Sequence, residues 1–567
     1  MEQMKEVDIE QKSIEIQKII SRYTKESFVC FFADFVRHHP ERNQFSFSEK
    51  FKSKYKDSIY LIMLRLSSDE VGSEDFYYSE ENDKILQKVG DILLEIVSFY
   101  LGNYSRFDTT TSKKDRSEML IHELAFKDYF QNGVLNYREQ ELNKVIRLFK
   151  PYQNKIKERL GIDLKTLMAL CEFSEDDYQR KAITSKSFLF DPRMKDFVHS
   201  VQAGKFEEGL SQLPIELQDN FLDFFESPHS CLLFTKNDYY KSFNKKDVDV
   251  FCNLLSIDIN DSFNNLFYSQ PNPLELKPIV KINDKTFLNV FQKQLPNAVY
   301  KLLYQVLTET EKEKEQLNLR RGKVILESQT QNIFDRFFSK AKNVTSYNNY
   351  YINSNPAEKD LLYIVNRIAF VIECKASRSR EPWRNTKKAT ERIRSDFDYC
   401  IQKGYEQCFE VEQAILNDEA ITIKSKNNSE VLNTSQIIDV FTIVVTSERF
   451  ASLQIDLGLL LNKKSSEDFY PWSVCIDDLE TFLKTLGAVY NNRFKKFIDY
   501  LEFRELLHSR LLSRDELDVC AMFLKNPQKF KELCESDAYL VPDPYLQGYF
   551  DELYFSKKLN FKILDIT

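Results

Sequence analysis

Glu358-Lys-Asp-Leu-Leu-Tyr-Ile-Val-Asn-Arg-Ile-Ala-Phe-Val-Ile-Glu-Cys-Lys375 reads as a β-hairpin. Leu361 to Val365 is an apolar, strand-like run, Asn366-Arg367 is a two-residue polar break, and Ile368 to Ile372 is a second apolar run. With Asn366 and Arg367 as the loop, Val365 stands opposite Ile368. Counting outward, Asp360 falls opposite Glu373 and Glu358 opposite Lys375. Directly opposed side chains have Cβ atoms roughly 4.5–5.5 Å apart. Strand alternation puts Glu373 and Lys375 on one face and Cys374 on the other. The register therefore gathers carboxylates and a lysine at the end of a hydrophobic hairpin.

Like charges directly opposed destabilise a sheet. A divalent cation between two carboxylates reverses that cost. Mg²⁺ in particular is held by one or two carboxylates together with water and phosphate oxygens. A lysine beside the ion then orients or helps deprotonate a water, or stabilises charge on a phosphate. The chemistry this points to is metal-assisted phosphodiester hydrolysis, with Mg²⁺ or Mn²⁺ as cofactor.

Asp360, a spacer, then Glu373-Cys-Lys375 resembles the PD-(D/E)XK nuclease superfamily, which has the restriction-endonuclease-like fold. The resemblance implies that Asp360 and Glu373 bind the metal and that Lys375 assists catalysis. It also implies a further carboxylate on the helix before the hairpin. Glu327 matches, in Lys323-Val-Ile-Leu-Glu-Ser-Gln-Thr-Gln-Asn-Ile-Phe-Asp-Arg-Phe-Phe338. On a helix Glu327 shares a stripe with Gln331, Phe334 and Phe338. The resemblance covers roughly residues 321 to 447 and departs from the family pattern in two places. Lys359, not proline, precedes Asp360, and Gln407 is followed four residues later by Val411 where some relatives carry tyrosine.

The segment after Lys375 is basic. Lys375 to Arg394 holds eight basic and two acidic residues in a chain of net charge −8. A phosphate backbone approaching the metal needs such a patch, so Arg378, Arg380, Arg384, Lys387 and Lys388 are candidate nucleic-acid contacts, and Trp383 is placed to stack on a base. DNA is favoured over RNA. Taken singly, each of these cations reads as the solvated start of a helix.

The chain has 567 residues, 42% of them hydrophobic and 14% aromatic, enough for well-packed cores. Residues 1 to 270 read as helical, as in Ile85, Val89, Ile92, Leu93, Ile96 and Val97. Near residue 272 the character changes. Leu276 to Leu288 reads as a hairpin around Asn283-Asp284, followed by one helix from about Asn297 to Glu315, and Gly322 starts the Glu327 helix. A long helix is expected up to Asn417, then a hairpin with Lys426-Asn-Asn428 at its tip. Ile437 to Thr446 is a β-branched run of the kind that forms a buried central strand, and its order implies a crossover beside the Glu373 strand. Residues 477 to 567 return to helix, including Leu506 to Leu512.

The expected fold class is α+β multidomain. A helical region over 1–270 serves sensing, recruitment or oligomerisation. Residues 271–476 form a restriction-endonuclease-like α/β/α domain with a mixed sheet, and 477–567 a small helical domain. No apolar run is long enough to span a bilayer, and the charged helical start does not read as a signal peptide. Ten scattered cysteines without a Cys-x-x-Cys pair read as reduced, mostly buried thiols, which places the protein in the cytoplasm. Neither a zinc signature nor a glycine-rich nucleotide loop occurs. A nuclease joined to helical regions resembles the effector layout of bacterial anti-phage defence, and homo-oligomerisation through the helical regions fits that layout. The alternative is a non-catalytic nucleic-acid-binding or scaffold protein on the same fold, in which Glu327 stands far from Asp360 and Glu373.

Overall fold

The computed structural model of the chain describes residues 6–37, 46–101, 112, 118–121, 124, 136–353, 355–376, 386–418, 420–425, 428–543 and 545–566. The architecture is mixed α/β with two mixed sheets. The chain falls into two compact units. One comprises Met1–Tyr100, Gln131–Glu309 and Ile563–Thr567; the other comprises Leu101–Phe130 and Thr310–Lys562.

The first unit is chiefly helical, as its apolar periodicity predicts. Helix Lys25–Phe35 is capped by the Thr24 side chain and contributes Phe28, Phe32 and Phe35 to an aromatic core with Phe47 and Phe76. Short strands β1 (Leu233–Thr235) and β2 (Ser256–Asp258) interrupt the helices. The expected hairpin forms as β3 (Ile279–Lys281) and β4 (Thr286–Asn289), and Asn283 Oδ1 accepts the backbone N–H groups of Lys285 and Thr286 at its turn. Its two outer edges pair with β1 and β2, giving the order β1-β4-β3-β2. Residues 271–309 thus belong with the helical unit, because the strands that complete their sheet lie before residue 271.

The helix expected from 297 to 315 is two helices, Leu295–Leu307 and Glu311–Leu319. Thr310 caps the second, and Glu313 returns the bond to the Thr310 N–H, a capping box. Gly322 does not start a helix either. The chain runs from Glu311 through a π-turn at Arg320–Leu326 straight into helix Glu327–Phe338.

The second unit is built on seven strands in the order β11-β10-β7-β6-β5-β8-β9. They are β5 (Val344–Ile352), β6 (Lys359–Val365), β7 (Ile368–Lys375), β8 (Ala420–Ser425), β9 (Asn428–Asn433), β10 (Asp439–Thr446) and β11 (Trp472–Cys475). The β6–β7 register is the one read from the sequence, with Val365 opposite Ile368 and Leu361 opposite Ile372. Asn366 and Arg367 are both left-handed, φ +48° and +72°, the backbone a two-residue hairpin loop needs to match strand twist. β10 lies parallel to β7 and to β11, as a strand–helix–strand crossover requires.

One face of this sheet is covered by helix Lys403–Asn417, whose Cys408, Val411 and Ile415 pack on Leu362, Ala369, Val371 and Val444. The other face packs Tyr363 and Phe370 against Phe334 and Phe338 of the Glu327 helix and Phe497 of helix Arg493–Glu505. The region after 476 is therefore part of this unit's core and not a satellite. Leu506 to Leu512, expected to be helical, form turns that end in a bridge between Leu511 and Leu540. All ten cysteines are free thiols, eight of them buried. Among the described residues no helix is long and apolar enough to cross a membrane.

Candidate functional site

β7, β10 and β11 run parallel and end at Lys375, Thr446 and Cys475, on one edge of the sheet. In sheets of this kind the space beyond the carboxyl ends of parallel strands is where ligands are received. The hairpin delivers its charges to that edge. Glu373 is fully buried, with its side chain 1% exposed, and Lys375 reaches back along its own strand face to place Nζ 2.8 Å from Glu373 Oε2. The same Nζ is 4.0 Å from Asp360 Oδ2. Cys374 faces the other way, beside Thr330 of the Glu327 helix.

Asp360 replaces the ladder at the point where β6 and β7 separate. Its backbone N–H donates to Glu373 Oε1 at 3.3 Å, and its Oδ2 accepts the Cys374 N–H at 2.7 Å. Across from it in β5, Asn349 is left-handed at φ +47°, a strained conformation of the kind that collects around functional sites.

Glu327 enters from the helix on the far face, directly after the π-turn. Burial pushes its carboxyl up to about 8, with the charges of Asp360, Glu358 and Glu373 adding and Lys323 opposing. Burial likewise pushes Glu373 up to about 7, reinforced by Asp360 and opposed by Lys375. Burial works against the Lys375 ammonium, but Glu373 and Asp360 outweigh it and hold the group above the usual lysine range. Glu327, Asp360, Glu373 and Lys375 are thus brought within electrostatic reach of one another.

Glu358 takes a different place from the one counted from the sequence. The regular ladder stops at Leu361 and Ile372, and Glu358 precedes β6. It bonds Lys323 Nζ at 2.5 Å and the Tyr351 hydroxyl at 3.0 Å, so Lys375 has Glu373 as its partner and not Glu358. Sequence reading also missed Lys359. Its side chain is wholly buried, and its ammonium pairs with Glu410 on helix Lys403–Asn417. Gly404 on that helix lets the backbone close over the site: a Cβ there would stand 2.8 Å from Val444 Cγ1 and 3.4 Å from Lys375 Cγ. Of these, only Lys323 had a readable signal, since it lies four residues before Glu327 and shares its stripe.

Arg378, Arg380, Trp383 and Arg384 lie outside the described residues, as does the side chain of Lys387. Lys388 is exposed on helix Thr386–Phe397, which turns Ala389, Ile393 and Phe397 inward.

Among the described residues no three His, Cys, Asp or Glu side chains stand gathered as a ready metal shell. The charge balance nevertheless fits a divalent cation. Glu327, Glu358, Asp360 and Glu373 bring four carboxyl groups, Lys323 pairs with Glu358 and Lys375 with Glu373, and Lys359 is neutralised by Glu410. Burial, reinforced by the neighbouring carboxylates, leaves Glu327 and Glu373 holding protons more readily than free glutamates, a cost that a cation among them would offset. No family model, no curated protein and no solved structure matches this chain.

Proposed function

We propose that the second unit is a metal-dependent nuclease of the restriction-endonuclease-like kind, hydrolysing phosphodiester bonds, in DNA more readily than in RNA. The observation that carries this reading is the Asp360–Glu373–Lys375 group at the carboxyl ends of a parallel strand pair, with Glu327 within electrostatic reach of it. The order of elements supports it: the Glu327 helix, three antiparallel strands β5–β7, the helix Lys403–Asn417, then β10 parallel to β7. The non-catalytic alternative sets Glu327 far from Asp360 and Glu373, whereas the charges of both act on its carboxyl.

Glu327, Asp360 and Glu373 would hold Mg²⁺ or Mn²⁺. When bound, the ion supplies Lewis acidity toward the phosphate and lowers the pKa of a coordinated water. The chain's own contribution is electrostatic. Lys375 is held protonated by two carboxylates, so its role is to orient the attacking water and to offset charge gathering on the phosphate. Asp360 is fixed by the Cys374 N–H and Glu373 by Lys375, so the carboxylates are placed before any substrate arrives. The anti-phage effector layout and a cytoplasmic location remain part of the proposal, with the helical unit as recruiting or oligomerising arm.

Plasmid DNA, linear DNA and RNA incubated with Mg²⁺, Mn²⁺ or EDTA test the reading. Wild type should cut with either metal and not in EDTA. Glu373→Gln should abolish cutting, because a neutral amide is a poor Mg²⁺ ligand. Lys375→Ala should cost on the order of 10²–10³ in rate. Full activity in both variants removes the assignment from these residues.

A further inference from the structure

The Glu327 helix carries a second set of charges upstream of its carboxylate. The π-turn reads Arg320-Arg321-Gly322-Lys323-Val-Ile-Leu326, with three cations in its first four residues. Such turns insert an extra residue into a helix and are frequent at functional sites. This one is fastened to the strand that carries Glu373 and Lys375. Arg321 Nη2 donates to the carbonyl of Ala376, the residue after Lys375. Gly322 allows the close approach, since a Cβ there would meet Ala376 Cβ at 3.3 Å. Arg321 Nε is buried and has no hydrogen-bond partner among the described residues. Lys323 is half exposed and held by Glu358, itself bonded to Tyr351.

We infer that Arg321 and Lys323 form a phosphate subsite, which receives the backbone of a nucleic acid beside the scissile position. The inference rests on the nuclease reading above and adds to it a contact surface separate from the segment after Lys375. A polyanion approaching an acidic cluster needs cations beside it, and this turn sets Arg321 against Ala376 and Lys323 against Glu358. The Lys323–Glu358 pair does not prevent it. Part-exposed ion pairs contribute little, so exchanging Glu358 for a phosphate oxygen costs Lys323 little. Arg321 is held in place through Ala376 and adds its fixed positive charge beside Lys323, which makes the direct contact.

The test is binding of fluorescent single- and double-stranded DNA and RNA to the full chain, by anisotropy in EDTA, from about 50 to about 200 mM salt. Wild type is compared with Lys323→Ala, Arg321→Ala, Arg321→Lys and Glu358→Gln. Lys323→Ala should weaken binding several-fold, on all sequences alike, and flatten the log–log salt slope by about 0.7–0.9. Glu358→Gln should tighten binding, because it frees Lys323. Arg321→Ala also cuts the tie to Ala376, so Arg321→Lys, which keeps the charge and should bind as wild type does, separates charge from folding. Unchanged affinity and slope in Lys323→Ala and Arg321→Ala, with a wild type that binds and cleaves, would overturn this inference alone. A wild type that binds none of the four probes would take the nuclease reading down with it.

Discussion

Glu327 holds a proton where an exposed glutamate would have lost it, and that has a measurable sign. Its folded value of about 8 lies above the ordinary 4.5, so the folded chain binds more protons than the unfolded one between those limits. The stabilisation is complete below about pH 4.5 and is lost as pH rises through about 8. In EDTA, wild type should therefore lose more melting temperature than Glu327→Gln as pH climbs from about 4.5 to about 8, with no further difference accumulating above that. The carboxyl is part-exposed and screened, so the difference is small, roughly 1–2 °C. Mg²⁺ or Mn²⁺ should reverse the loss in wild type and not in the variant. Parallel melting curves with pH in both proteins would refute the shift. Lys359 gives a second test at this scale. Glu410→Ala leaves a fully buried ammonium without its carboxylate and should cost a few kcal/mol, whereas Lys359→Met removes the charge from the interior and should cost less. Denaturant midpoints decide it, and the reverse order would mean that the pair is not what holds Lys359 in place. Neither effect could be read from sequence. Lys359 and Glu410 are 51 positions apart, and their meeting is set by how a helix lies on a sheet. The carboxylates of the hairpin were legible because alternation and loop length fix their faces within a few residues.

At the scale of elements, legibility follows how local the determining physics is. The β6–β7 hairpin was readable because two polar residues between apolar runs leave little choice of loop. The break at residues 308–310 carried a local signal that went unread: Thr310 and Glu313 have capping-box spacing, hidden in a run of charge that resembles an uninterrupted solvated helix. The π-turn had no such signal. Gly322 looks like a helix boundary in sequence, but its smallness answers to Ala376, a contact across the fold. Gly404 is the same case with a sharper consequence. Alanine there gains about 1 kcal/mol of helix propensity but drives a methyl into Val444, which is fully buried and stiff at χ1. Overpacking of this kind typically costs about 1–3 kcal/mol. Gly404→Ala should therefore destabilise modestly and, because the helix must shift away from Val444 next to Lys375, lower the cleavage rate more than the loss of stability explains. Wild-type activity in a destabilised Gly404→Ala would show that Lys375 tolerates movement of that helix.

For the whole molecule, local patterns misplace the boundaries, because a boundary is defined by which surfaces bury one another. The composition change near residue 272 is real, yet it marks a hairpin whose partners β1 and β2 come earlier in the chain. The return to helix after residue 476 is also real, yet those helices close the core of the sheet. Phe497 lies 5.3 Å from Phe337, 5.8 Å from Phe370 and 5.8 Å from Trp472, ring centre to ring centre. A fragment spanning 271–476 would keep the proposed site residues and lose this cover. It would expose Phe334, Phe337 and Phe370 together and carry β3 and β4 without their outer strands. An apolar surface of that kind on an open sheet invites association. The fragment should aggregate, without a cooperative melt and without metal-dependent cleavage, while the full chain melts cooperatively. A soluble fragment 271–476 with a sharp transition and Mg²⁺-dependent activity would mean that helices beyond 476 are dispensable, and that the aromatic contacts of Phe497 contribute little to holding the sheet edge in place.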